Sequence, residues 1–324
     1  MTVAITPEDV TAAAQRIAGA VERSPLRLSE WLSPSDANVF CKLEVVQPTS
    51  SYKIRGAFNA VMRVFEEGLA DDRLITASAG NHGRALAYAA NMYQLPLVVF
   101  IPADAPRAKV DAIRRLGADL RRCASYDEAE RQAKAYAQDG RGRYISPYSH
   151  PDVIAGAGTV GLELIEQEPS LDAVIVPIGG GGLISGIAIA IKSASPSTRV
   201  IGVEVAASCP FTRSLSAGHI VPIDVRPSLA DGLTGNLDPD TITFDIVRDL
   251  VDEIVVVDEP DLRAALADVA AHEHLIVEGA AAAAPAALLS GRIKPAGRVA
   301  VVLTGANIDP ERLVEVLEAR RPLA

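Results

Sequence analysis

Aromatic residues are scarce in this chain of 324 residues: six Phe, seven Tyr and one Trp make up 4% of it. A core of stacked rings is excluded. The 49% of hydrophobic residues must build the interior from Ala, Val, Leu and Ile, as in a parallel sheet covered by helices. Positive charge is short as well, with 31 Lys and Arg against 41 Asp and Glu and a formal net charge of −10. Neither nucleic acid nor a membrane is an expected partner, because a phosphate backbone or an anionic bilayer needs a basic surface to meet it. A small molecule is the expected ligand.

Cysteine is nearly absent. Cys41, Cys123 and Cys209 are odd in number, far apart and without the paired spacing of a zinc site, which suits a reducing cytoplasm. The longest apolar tract, Gly279 to Leu289, is too short and too alanine-rich to span a bilayer. Thr6, Glu8 and Asp9 stand where a signal peptide would carry basic residues and an apolar run, so no signal peptide is expected. The length suits one compact α/β unit or two lobes, and the expectation is a soluble, cytoplasmic protein.

Thr6-Pro7-Glu8-Asp9 reads as a helix start, with Val10, Ala14, Ile17 and Val21 on the buried side and Ser24-Pro25-Leu26 at the end. A strand is expected over Val39 to Glu44, then a loop, then a helix from Lys53 to about Glu67. From Arg73 onward strands and helices alternate: 74–76, 83–92, 97–101, 107–116, 119–122 and 125–137. After Pro151 the rhythm resumes with a helix over 154–166, a strand over 173–178, a helix from Leu183 and a strand over 200–205. Such alternation implies parallel sheets with right-handed crossovers and a second lobe. Between Ala206 and Ile254 four prolines loosen the pattern, before a strand at 255–257, helices at 261–272 and 279–289, a strand at 298–303 and a helix over 310–320.

Three stretches carry the chemistry. Lys53 lies between Ser50-Ser51-Tyr52 and Ile54-Arg55-Gly56 at a helix start, an unusual place for a surface lysine. Gly179-Gly180-Gly181-Gly182-Leu183 follows a buried strand and opens a helix, so its backbone N–H groups can converge on a phosphate; the plainer reading is a tight turn. Ile184 breaks the G-x-G-x-x-G spacing and no Gly-Lys-Ser/Thr follows, so neither a nicotinamide nucleotide nor ATP is favoured. Ser78-Ala79-Gly80-Asn81-His82-Gly83, also between strand and helix, is suited to a carboxylate or is a simple N-cap turn. A small zwitterion would fit it. His82 is expected to be structural.

Together with Thr304-Gly305-Ala306-Asn307, Pro151 to Gly156 and Val277-Glu278-Gly279-Ala280, these motifs closely resemble fold-type II pyridoxal-phosphate enzymes of the threonine/serine dehydratase and serine racemase group. The resemblance covers nearly the whole chain. It implies a two-lobed α/β architecture like the tryptophan synthase β subunit, each lobe a twisted, mostly parallel sheet covered by helices. Residues 1–72 and 150–324 would form a large cofactor-binding domain and 73–149 a small substrate-binding domain, in a homodimer.

Carried over by position, Lys53 would hold pyridoxal 5'-phosphate as a Schiff base and act as catalytic base. Tyr52 would pack near the ring, Asn81 would bond its hydroxyl, and Thr304 would face the pyridine nitrogen. Gly179, Gly180, Gly181, Gly182 and Leu183 would bind the phosphate. Ser78, Gly80, Asn81 and His82, with Ser51, would hold the substrate carboxylate. A hydroxyl cannot keep the pyridine nitrogen protonated as an aspartate would, which favours β-elimination over transamination.

The racemases have a serine where Ala79 stands, and a methyl group cannot donate a proton. Dehydration of a 3-hydroxy amino acid such as L-threonine or L-serine is therefore the expected reaction, with serine racemase as an alternative. Arg84, beside the carboxylate loop, could select an acidic side chain, making a 3-hydroxyaspartate or aryl-serine dehydratase another; a solvated arginine is the plainer reading. A non-catalytic cofactor-binding protein would not need the loop over 78–83. Several relatives bind a divalent ion through the glutamate of Gly202-Val203-Glu204 and an aspartate where this chain has Pro210. No metal is expected, Glu204 being the one candidate ligand and otherwise a strand-end surface residue. Asp231 to Asn236 is expected to flank the pocket.

Overall fold

The protein is described by a computed structural model over residues 5–69 and 72–320. The outer ends of the expected large domain, and residues 70 and 71 just before its junction, lie outside the described residues. The described residues form ten strands: β1 (Leu26–Ser29), β2 (Ala37–Leu43), β3 (Leu74–Ala77), β4 (Leu97–Pro102), β5 (Asp119–Cys123), β6 (Arg143–Tyr144), β7 (Ala173–Pro177), β8 (Arg199–Val205), β9 (Glu253–Val257) and β10 (Gly297–Leu303). The helices are α1 (Pro7–Arg16), α2 (Lys53–Glu66), α3 (Asn81–Met92), α4 (Arg107–Arg115), α5 (Tyr126–Tyr136), α6 (Pro151–Gln167), α7 (Gly182–Ala194), α8 (Pro210–Ala217), α9 (Thr243–Leu250), α10 (Glu259–Asp268), α11 (Gly279–Leu289) and α12 (Pro310–Ala319).

Six strands make one sheet in the order β1-β2-β10-β7-β8-β9, and four make another in the order β5-β4-β3-β6. All neighbours are parallel except the edge pair β1 and β2. Every residue of β3 and β7 is buried, as strands covered on both faces must be. The four-stranded sheet takes all its strands from between residues 74 and 144. The alanine-rich tract becomes α11, buried along almost its whole length against α10 and β10, where small side chains allow close approach.

The expected first helix is too long. It stops at Arg16, because the chain turns at Gly19 (φ +80°) and Ala18 bridges to Val21. Val10, Ala13 and Ile17 are the buried positions, while Ala14 and Val21 are half-buried. Likewise α10 ends at Asp268 and gives way to a wider turn over Val269–Glu273. The loosened region holds α8, which starts on Pro210, and α9; a proline there opens a helix instead of breaking one.

One buried charge cluster fixes the head of α2. The Arg55 guanidinium donates to both carboxylate oxygens of Glu44 at 2.8 Å and to Glu163 at 2.6 and 3.0 Å, while Lys42 reaches Glu163 at 2.6 Å. Arg55 and Glu44 are almost wholly buried, so their bonds are made in a low dielectric. Lys53 stands two positions before Arg55 in the chain.

Candidate active site

Lys53 is the first residue of α2, and the chain before it is stitched to the end of β10. Tyr52 N donates to Thr304 O at 3.0 Å, Ser51 pairs with Gly305, and Ala306 N donates to Ser50 O at 2.9 Å. The two segments place Ser51, Tyr52 and Lys53 beside Thr304. Lys53 Nζ donates to Pro147 O at 2.8 Å and lies 5.2 Å from the centre of the Tyr52 ring. Burial pushes its amine down to about 8, against the Glu278 carboxylate, which holds it up.

Tyr148, next to the carbonyl that Lys53 touches, covers the glycine loop. A Cβ on Gly180 would stand 2.3 Å from its ring, and one on Gly181 would stand 2.6 Å from Phe211 Cζ. Gly181 also has φ +85°, so side chains are barred on two counts. Thr243 Oγ1 donates to Gly180 O at 2.8 Å and holds the turn from the other side. Leu183 is buried in the core, so it offers only backbone to a ligand. Gly179 packs against Leu233 of the expected flanking stretch.

Ser78 closes β3, and its Oγ accepts from Gly80 N at 3.2 Å. Asn81 opens α3 with Nδ2 donating to Glu278 at 2.8 and 3.0 Å and Oδ1 accepting from Asn307 Nδ2 at 2.8 Å. His82 is buried, and burial with the nearby Lys53 charge pushes it down to about 3, against a backbone hydrogen bond with Ile145 that holds it up. It is neutral at working pH. Glu278, which sequence reasoning passed over, is the acceptor that holds Asn81; burial pushes it up to about 7, against the Asn81 bonds. Its only signal in the sequence was the Val277 to Ala280 motif.

A cleft of about 550 Å³ opens between the halves of the chain, walled in part by Gly80, Asn81, Arg84, Lys109, Asp231 and Glu278. It reaches the site through Asn81 and Glu278, and Lys53 and the glycine loop are not among its walls. The Lys109–Asp231 ion pair, at 2.6 Å, joins its two sides. Arg84 corrects the plainer expectation of a solvated residue: it is half-buried and donates to Asn307 Oδ1 at 2.6 Å.

Glu204 also departs from expectation. It is fully buried, not a surface residue, and accepts from Phe211 N, Thr212 N and Thr212 Oγ1. Among the described residues no group of three or more His, Cys, Asp or Glu side chains could hold a metal ion.

A family model described as pyridoxal-phosphate dependent enzyme matches residues 17–305. The chain belongs to this pyridoxal-phosphate family. It is 42% identical to an L-threonine ammonia-lyase of Geobacter sulfurreducens, over 86% of this chain and 70% of the relative. It is 37% identical to the beta-hydroxyaspartate dehydratase of Paracoccus denitrificans, over 95% and 98%. Maize serine racemase superposes with a TM-score of 0.89 at 32% identity, over 98% of both chains.

The family's cofactor fits the residues present. Thr304 Oγ1 is buried and has no hydrogen-bond partner among the described residues, as a group reserved for a ring nitrogen would be. The glycine loop leaves backbone N–H groups clear of any Cβ at the head of α7. A divalent ion at Glu204 does not fit, since both carboxylate oxygens already face N–H and O–H donors and Pro210 has no side-chain oxygen.

Proposed function

We propose that the protein is a pyridoxal-phosphate-dependent ammonia-lyase that converts a 3-hydroxy amino acid, L-threonine or L-serine, to a 2-oxo acid and ammonia. The observation that carries this reading is Lys53 paired with Ala79: one depressed amine serves as base, and position 79 offers only a methyl group where a second proton donor would stand.

In this reading pyridoxal phosphate, when bound, supplies the electron sink for charge developing at the substrate's α-carbon. Lys53 would hold the cofactor, and its amine, once released by the substrate's own amine, would accept the α-proton; an amine titrating near 8 is deprotonated in a useful fraction at neutral pH. Thr304 Oγ1 would meet the pyridine nitrogen, Tyr52 would flank the ring, and the backbone of Gly179, Gly180, Gly181, Gly182 and Leu183 would hold the phosphate. Asn81, fixed by Glu278 and Asn307, would lie by the ring hydroxyl. Ser51, at the head of α2, and Ser78, Gly80, Asn81 and His82, at the head of α3, would receive the substrate carboxylate. Neutral His82 cannot deliver a proton to the opposite face near neutral pH.

We assign residues 73–149 as the substrate-side domain and 1–72 with 150–324 as the cofactor domain. The free thiols of Cys41, Cys123 and Cys209 suit a cytoplasmic enzyme, and exposed Leu28, Val46 and Ile276 suit a homodimer. Arg84 in the cleft favours a second reading, dehydration of 3-hydroxyaspartate. The test is a 2-oxo acid assay of the holoenzyme with L-threonine, L-serine and L-threo-3-hydroxyaspartate. Product from the first two supports the reading, product from the third alone selects the second, and none from any overturns both.

A further inference from the structure

Glu204 lies near the end of β8, and its carboxylate caps the first turn of α8. Oε1 accepts from Phe211 N at 2.8 Å; Oε2 accepts from Thr212 N at 2.9 Å and from Thr212 Oγ1 at 2.6 Å. The residue before the helix, Cys209, gives no side-chain cap, so a carboxylate from another element does the work. The positive end of the helix dipole points at the same two oxygens, a place that attracts an anion and repels a cation. Pro210 begins the helix and has no side-chain oxygen to complete a cation site.

What this cap holds is mechanically coupled to the site. Phe211, whose N–H Glu204 binds, is fully buried and packs in one core cluster with Leu183 and Ile184 of α7. Its ring closes off Gly181, which is flanked on another side by Thr243. A shift of α8 would therefore reach the glycine loop through one rigid ring.

We propose that Glu204 is a positioning residue: by capping α8 it sets Phe211 against Gly181 and shapes the glycine loop for the cofactor phosphate, with no divalent cation taking part. The inference rests on the reading of the glycine loop as the phosphate site.

Cofactor binding tests it without reference to turnover. Apoenzyme is titrated with pyridoxal 5'-phosphate and, separately, with pyridoxal, which lacks the phosphate, after EDTA treatment and again with added Mg²⁺, Mn²⁺ or Ca²⁺. Wild-type affinity and melting temperature are expected to be the same with chelator and with each ion. Glu204→Gln is expected to weaken pyridoxal 5'-phosphate binding about tenfold, with no rescue by any ion, while leaving pyridoxal affinity unchanged. Phe211→Leu, which keeps the cap, is expected to show the same selective loss if Glu204→Gln does not fold. A drop in wild-type affinity with EDTA that Mg²⁺ restores overturns the proposal, as does equal weakening of both ligands in the variants. Failure of the wild-type protein to prefer pyridoxal 5'-phosphate over pyridoxal contradicts the phosphate-site reading itself.

Discussion

Asn81 Nδ2 donates to both carboxylate oxygens of Glu278, at 2.8 and 3.0 Å, tying the first residue of α3 to the residue that precedes α11. Glu278 is held by burial at about 7, above its ordinary 4.5. A carboxyl whose folded pKa is raised adds stability at pH below 4.5 and loses it as pH rises through about 7. The wild-type melting temperature is therefore expected to fall across that window, and Glu278→Gln, which cannot ionise, to flatten the fall. Thermal melts from pH 4 to 8 check it; parallel curves for the two proteins would count against the assignment.

Lys53 gives a kinetic signature in the apoenzyme. Only the free amine forms the cofactor link, so the rate of reconstitution should rise with pH and level off above about 8. Lys53→Ala should show neither the visible absorption band of linked cofactor nor turnover. Stopped-flow absorbance on adding pyridoxal phosphate measures both.

Thr304 separates fold from cofactor. Its hydroxyl bonds nothing among the described residues, so Thr304→Val should leave the apoenzyme as stable as wild type or slightly more so. The same change should weaken cofactor binding, by about 1 kcal/mol for one hydrogen bond. Melting curves with and without cofactor give the two numbers.

The glycine loop should not tolerate a side chain. An alanine at 180 would drive its Cβ to 2.3 Å from the Tyr148 ring, and that ring lies next to the carbonyl holding Lys53. Gly180→Ala is expected to lower cofactor retention on gel filtration at least about tenfold while the chain stays folded, since overpacking typically costs about 1–3 kcal/mol.

Arg55 anchors the buried charge cluster near the site. Replacing it with Ala leaves Glu44 buried without its partner, which should destabilise the protein by about 3–5 kcal/mol. Denaturant titration of Arg55→Ala measures it.

The strands and long helices were legible because their apolar runs are long and their turns carry glycine or proline. What escaped depended on tertiary packing. The edge strand β1 is only four residues long, and its Leu-Arg-Leu-Ser alternation does not match its burial, with Leu28 exposed and Ser29 buried, so only its pairing with β2 reveals it. Pro210 reads locally as a breaker, and its place at the head of α8 follows from the Glu204 carboxylate waiting on another strand. Lys53, the glycine loop and Thr304 announced themselves by residue type at turns, whereas Glu278 did not, because its partner Asn81 is distant in sequence and meets it only across the cleft.

The central claim, a single base and elimination without inversion, is tested most directly by incubating the holoenzyme with L-serine and following pyruvate, ammonia and the enantiomers of the remaining serine together. The account predicts pyruvate and ammonia in equal amounts while the recovered serine stays L. Accumulation of D-serine faster than pyruvate would contradict it.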